Sequence, residues 1–112
     1  MMVRILLLLA VSAALATAQT THNATLTWTD TLNPSGTTYN VYRATGLCSG
    51  TPSFAKLATG IAPKTYVDAT VTTGNYCYEV TAVLNGIESA ASNTAAAAVP
   101  AFPPATLTLT TQ

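Results

Sequence analysis

The chain has 112 residues, no formal net charge, 49% hydrophobic residues and only 7% charged ones. That length leaves room for one small domain and excludes a multidomain enzyme or a (β/α) barrel. Four Lys+Arg against four Asp+Glu make no basic stripe to neutralise phosphates, so nucleic acid is not an expected partner. A chain this apolar is not held open by charge repulsion and is expected to fold.

Residues 1–18 have the composition of an export signal. Arg4 supplies a positive start, residues 5–16 are apolar, and Ala16-Thr17-Ala18 offers small residues where a signal peptidase reads. The apolar run is shorter than the about 20 residues that a membrane-spanning helix needs, and polar Gln19, Thr20, Thr21, His22 and Asn23 follow it. The first cysteine is Cys48, too far away for a lipid anchor at the cleavage point. Cleavage after Ala18 is expected to leave residues 19–112 secreted or periplasmic, with no membrane span. Arg43, Lys56 and Lys64 then face Asp30, Asp68, Glu79 and Glu88, a weak negative balance with little long-range steering. His22, close to the new terminus, reads as a solvated end residue.

Residues 24–29, Ala-Thr-Leu-Thr-Trp-Thr, alternate strictly, so Leu26 and Trp28 share one face and three threonines the other. Asn33-Pro34-Ser35-Gly36 has the chemistry of a type I turn. A second strand is predicted over 37–44, with Tyr39 and Val41 on one face and Asn40 and Tyr42 on the other. Residues 46–53, with two glycines and Pro52, break it. Short strands are predicted over 54–59 and 65–71, punctuated by Gly60 and Pro63. The most regular segment is 76–84, where Tyr76, Tyr78, Val80 and Ala82 line one face and Cys77, Glu79, Thr81 and Val83 the other.

Asn85-Gly86 is the two-residue turn whose positive φ angles match strand twist, so strand 76–84 is expected to fold back at once. The alanine-rich return, residues 89–99, has helical propensity. Ser92, Asn93 and Thr94 leave it no apolar helical stripe, however, so a strand is predicted. Pro100, Pro103 and Pro104 then lead into a tail, residues 101–112. Six or seven short strands at this spacing predict an all-β, antiparallel sandwich.

Trp28, the run Tyr39-Asn40-Val41-Tyr42-Arg43 and the run from Gly74 through Tyr76-Cys77-Tyr78-Glu79-Val80 to Val83 resemble strands B, C and F of a fibronectin type III domain, an immunoglobulin-like fold. Glu88-Ser89 and Ser92-Asn93 resemble the entry to its strand G. The resemblance implies a domain over 19–100 with a core of Trp28, Tyr39, Val41, Tyr78, Val80 and Ala82, and makes Tyr76 the tyrosine of the E to F corner. It leaves strand A without sequence between the cleavage point and His22. It also sets strands C and F side by side, which implies that Cys48 and Cys77 meet. A disulfide there, formed after export, would contribute about 3–4 kcal/mol. A metal site or reactive thiol has no supporting neighbours in sequence.

The tail repeats the first strand: Ala105-Thr106-Leu107-Thr108-Leu109-Thr110 matches residues 24–29 at all positions but Trp28. Docked on the open edge beside the Trp28 strand it would cover unpaired backbone groups, in its own molecule or in a neighbour by strand addition. The other reading is a linker or the start of a second module.

Chemistry is sparse. Asp30, Asp68, Glu79 and Glu88 are scattered, and no phosphate loop, metal-ligand cluster or cofactor signature is present. Catalysis, metal and cofactor are therefore not expected. Tyr42 and Phe54 are the candidate binding residues, able to stack on a sugar or fill a partner's pocket; in the alternative reading Phe54 is core and Tyr42 covers the disulfide. The threonine rows 25, 27, 29 and 106, 108, 110 would form an ice-binding array if adjacent, and Asn23-Ala24-Thr25 fits a glycosylation acceptor. The expected function is a secreted, noncatalytic binding or structural module acting by protein contact at a cell surface or in an extracellular appendage, with self-association through residues 101–112. A carbohydrate-binding accessory module is the alternative, and a small hydrolase the more distant one.

Overall fold

Alternating burial sets the framework of the computed structural model, which describes residues 5–12, 21–101 and 107–111. His22, Ala24, Leu26, Trp28 and Asp30 are the buried set of strand β2 (His22–Asp30). The other strands are β1 (Ile5–Ser12), β3 (Thr38–Thr45), β4 (Ala55–Ile61), β5 (Thr65–Val71), β6 (Gly74–Leu84), β7 (Ile87–Glu88), β8 (Ala95–Val99) and β9 (Leu107–Thr111). All described pairings are antiparallel. One sheet has the order β5-β2-β1-β9; the other runs β4-β3-β6, with β7 and β8 both paired to β6. The fold is thus an all-β sandwich.

Between the sheets lie Leu7, Leu26, Trp28, Tyr39, Val41, Val71, Tyr76, Tyr78, Val80 and Ala82, with Ala95, Ala97 and Val99 from β8. Trp28 meets Tyr39 edge to face, ring centroids 5.4 Å apart. Two carboxylates tie the sheets together, one near each end. Asp30 on β2 accepts from the Tyr39 hydroxyl on β3 at 2.9 Å. Asp68 on β5 accepts from Arg43 on β3 at 2.7 Å and from the Tyr78 hydroxyl on β6 at 2.8 Å. Asp68 is 1% exposed, so its charge is tolerated only because these donors surround it.

Cys48 and Cys77 form a disulfide with Cα atoms 5.1 Å apart. Antiparallel pairing of β3 with β6 sets Ala44 opposite Cys77, which brings the loop after β3 over the start of β6.

Asn85 and Gly86 have φ of 52° and 77°, the primed turn the dipeptide predicts. The return strand differs from expectation. It pairs for two residues as β7, then leaves the ladder until Ala95. Val83 is opposite Glu88, but Tyr78 is opposite Ala95, so the return side holds two extra residues. Serine hydroxyls bridge the slip: Ser89 Oγ accepts from the Ala82 N–H at 2.9 Å and Ser92 Oγ from the Val80 N–H at 3.0 Å. The Ser89 and Ser92 N–H groups donate back to the carbonyls of Ala82 and Val80, each at 2.8 Å. A buried ladder tolerates two extra residues because each orphaned amide finds a side-chain acceptor.

Residues 5–12, the apolar run above, form β1 and occupy the place of strand A. Ile5 lies opposite Asp30 and Ser12 opposite Asn23, and Leu7 is fully buried. Three expectations change in consequence. The tail strand β9 pairs with β1 and not with β2, because β1 already holds that edge. In this arrangement β1 separates the threonines of β2 from β9. His22 is 1% exposed rather than solvated, because it is a ladder residue of β2 opposite Val71. The cleavage motif at residues 16–18 and the proline-led approach at 102–106 lie outside the described residues.

Candidate binding face

The outward face of the β4-β3-β6 sheet carries a polar cluster centred on Glu88. On β3, Asn40 and Tyr42 point away from the core because Tyr39 and Val41 point into it. The Asn85-Gly86 turn sets Glu88 opposite Val83, diagonal to Thr81 on the same face of β6. Glu88 Oε2 accepts from Thr81 Oγ1 at 2.6 Å, from Asn40 Nδ2 at 3.2 Å and from the Tyr42 hydroxyl. Asn40 Oδ1 in turn accepts from Thr59 Oγ1 at 2.7 Å, which adds β4 to the network.

These donors, Thr81 first and then Tyr42 and Asn40, hold the Glu88 carboxyl down at about 2. The same contact pushes the Tyr42 phenol above its ordinary value. Glu88 is therefore a fixed anion on an exposed strand, and its three donors share one oxygen. Lys56 Nζ sits 5.9 Å from the Tyr42 ring centroid, within the reach of a cation–π contact. The face thus offers an aromatic ring, an ammonium and an oriented carboxylate within one patch.

Of the two residues singled out in the sequence, Tyr42 belongs to this patch. Phe54 is half-buried just before β4, where Ala55 is opposite Arg43. The residue over the Tyr42 ring is Lys56. Trp28, Tyr39, Val41, Tyr76, Tyr78 and Val80 lie in the core. Asn40, Thr59, Thr81 and Glu88 escaped the sequence reading, although the Asn-Gly turn fixes a register from which the Thr81–Glu88 diagonal follows. Among the described residues no group of three or more His, Cys, Asp or Glu is placed to hold a metal, and no helix is long and apolar enough to cross a membrane.

The Tyr76 hydroxyl accepts from the Thr72 N–H at 3.1 Å, tying the start of β6 to the turn before it. That is the bond of a tyrosine corner. An Fn3-like protein from Clostridium thermocellum, known from its crystal structure, is 31% identical over 86% of this chain and 96% of its own, with a TM-score of 0.57. The chain is a fibronectin type III domain. Two solution structures share the fold. The fibronectin type-III domain of human fibronectin type III domain containing protein 3 has 16% identity and a TM-score of 0.60, over 90% of this chain and 86% of its own. A human fourth FNIII domain has 21% identity and a TM-score of 0.55, over 83% and 78%. No protein-family model and no curated protein matches the chain. A fibronectin type III domain is in general a noncatalytic binding or structural module.

Proposed function

We propose that the chain is an exported, noncatalytic module that binds a protein partner through the Tyr42–Glu88 face, at a cell surface or in an extracellular appendage. The observation that carries the reading is the Glu88 network. Three donors orient one carboxylate oxygen beside an aromatic ring at an exposed sheet surface, with the ordering entropy already spent before a partner arrives. Export is supported by the Arg4-led apolar run, by the small residues at 16–18 and by the Cys48–Cys77 disulfide, which persists in oxidising compartments. Lys56 over the Tyr42 ring favours a protein over a sugar, because stacking on a sugar needs a bare ring face.

A photo-crosslinking residue at Val83, partly exposed and opposite Glu88 on the same sheet face, tests this against the same residue at Val67, 47% exposed on the other sheet. In cells that export the chain, the Val83 probe is expected to give one discrete protein adduct that disappears with Tyr42→Ala, while the Val67 probe gives none. Equal adducts from both positions would contradict the reading. Glycan-array binding that is lost in Tyr42→Ala would move it to the carbohydrate-binding alternative.

A further inference from the structure

We infer that, once residues 1–18 are removed, the edge of β2 is closed by the tail of a second copy of this chain, running antiparallel to β2. The inference rests on the export reading above. In the whole chain β1 covers β2 over its length and buries Leu7 level with Trp28. Cleavage after Ala18 takes β1 away. It leaves a row of unpaired N–H and C=O groups along β2 and a vacant leucine site beside Trp28 in the core, an edge that pairs readily with another strand.

The tail is suited to fill it. Residues 105–110 repeat residues 24–29 with leucine in place of Trp28, and Leu107–Thr111 is already the strand β9. Direction decides between the molecule's own tail and another's. Both β2 and β9 are antiparallel to β1, so β9 runs parallel to β2. Moved sideways within its own molecule, β9 would set Leu109 level with Leu26 but Thr111 level with Trp28, where Leu7 had been. The antiparallel register instead sets Leu107 level with Trp28 and Leu109 level with Leu26, repeating the positions of Leu7 and Leu9 in β1.

To enter that way the tail must start from the Asp30 end of β2. Val99, the last residue of β8, is opposite Gly74, three residues past Val71, which is the partner of His22 at the other end of β2. The molecule's own tail would have to run back along the sandwich before it could pair. A second copy meets the edge from the correct end, and a two-fold exchange of tails closes both edges at once.

The test uses the chain recovered from the medium of a secreting host, with its mass read first. The mass expected is that of residues 19–112, and the native size twice that. In the antiparallel exchange Thr27 and Thr108 are partners; in the parallel, own-tail arrangement Thr27 pairs with Thr110. The double variant Thr27→Cys, Thr108→Cys is therefore expected to give a covalent dimer on mild oxidation, whereas Thr27→Cys, Thr110→Cys does not close. Deleting residues 101–112 is expected to abolish the dimer. Closure of the 27–110 pair within a monomer, or a monomer in which neither pair closes, would overturn the exchange while cleavage stands. A mass equal to the whole chain would overturn cleavage and exchange together, so the two failures are told apart.

Discussion

Two buried aspartates show how single residues hold this sandwich. Burial pushes the Asp68 carboxyl up, but hydrogen bonds from Thr70, Tyr78 and Arg43 outweigh it and hold the group below its ordinary value. Asp30 is lowered in the same way, burial being outweighed by Asn33, the Leu32 N–H and Tyr39. Removing one partner of such a cluster leaves the others buried and unsatisfied. Asp68→Ala is expected to cost about 3 kcal/mol in denaturant unfolding, the lower part of the range for breaking a buried pair, because Arg43 retains some solvent contact. The pH dependence follows from the signs. Asp30, Asp68 and Glu88 are lowered on folding, so what they contribute is complete above the unfolded carboxyl range and is lost as pH falls from about 4.5 toward 2. Tyr39, pushed up to about 12 by burial and then by Asp30, and Tyr78, raised by burial and then by Asp68, act at the other end. Their contribution is complete below about pH 10 and is lost above it. A stability profile flat between pH 5 and 10 and falling on both sides is the expected result, measured by unfolding midpoints across that range.

At the scale of elements, the hairpin and the slipped return strand separate what could be read from what could not. Strands β2, β3 and β6 announce themselves by alternation, and Asn85-Gly86 announces the turn between β6 and β7. The break over residues 89–94 carries no such signal, because serine there serves equally as a strand, loop or capping residue. Only the structure shows Ser89 and Ser92 accepting from β6 amides. Ser89→Ala and Ser92→Ala should each destabilise by about 1–2 kcal/mol by orphaning a backbone N–H, with faster hydrogen exchange at Ala82 and Val80 respectively as the check. Residues 5–12 illustrate a different limit. An unbroken leucine-rich run has no period, so residues that read as the core of an export signal also form the strand β1, which buries Leu7. The Glu88 network was hidden because its partners, Asn40 and Tyr42, lie more than forty residues away in the chain, and local pattern does not report such pairings. His22 looked solvated for a related reason: its burial depends on the ladder that includes Val71, not on its distance from the chain end.

For the whole molecule, size makes the disulfide and the sheet edges decisive. A domain of this length buries a modest core, and the Cys48–Cys77 bridge closes a separation of 29 residues. Replacing both cysteines with alanine is expected to cost about 3–4 kcal/mol and lower the melting temperature by roughly 15–25 °C, read by calorimetry of the oxidised and variant proteins. The edges determine whether the module stands alone. The face around Tyr42 and Glu88 is open in the whole chain, where β1 closes the edge of β2; under the cleavage proposed above that edge would need another strand. Amide hydrogen exchange on the exported protein tests this account most directly. Residues 24–29 of β2 should be as protected as β3 and β6, and should lose that protection when residues 101–112 are deleted while β3 and β6 keep theirs. Rapid exchange along β2 in the intact exported chain, or protection that survives loss of the tail, would contradict it.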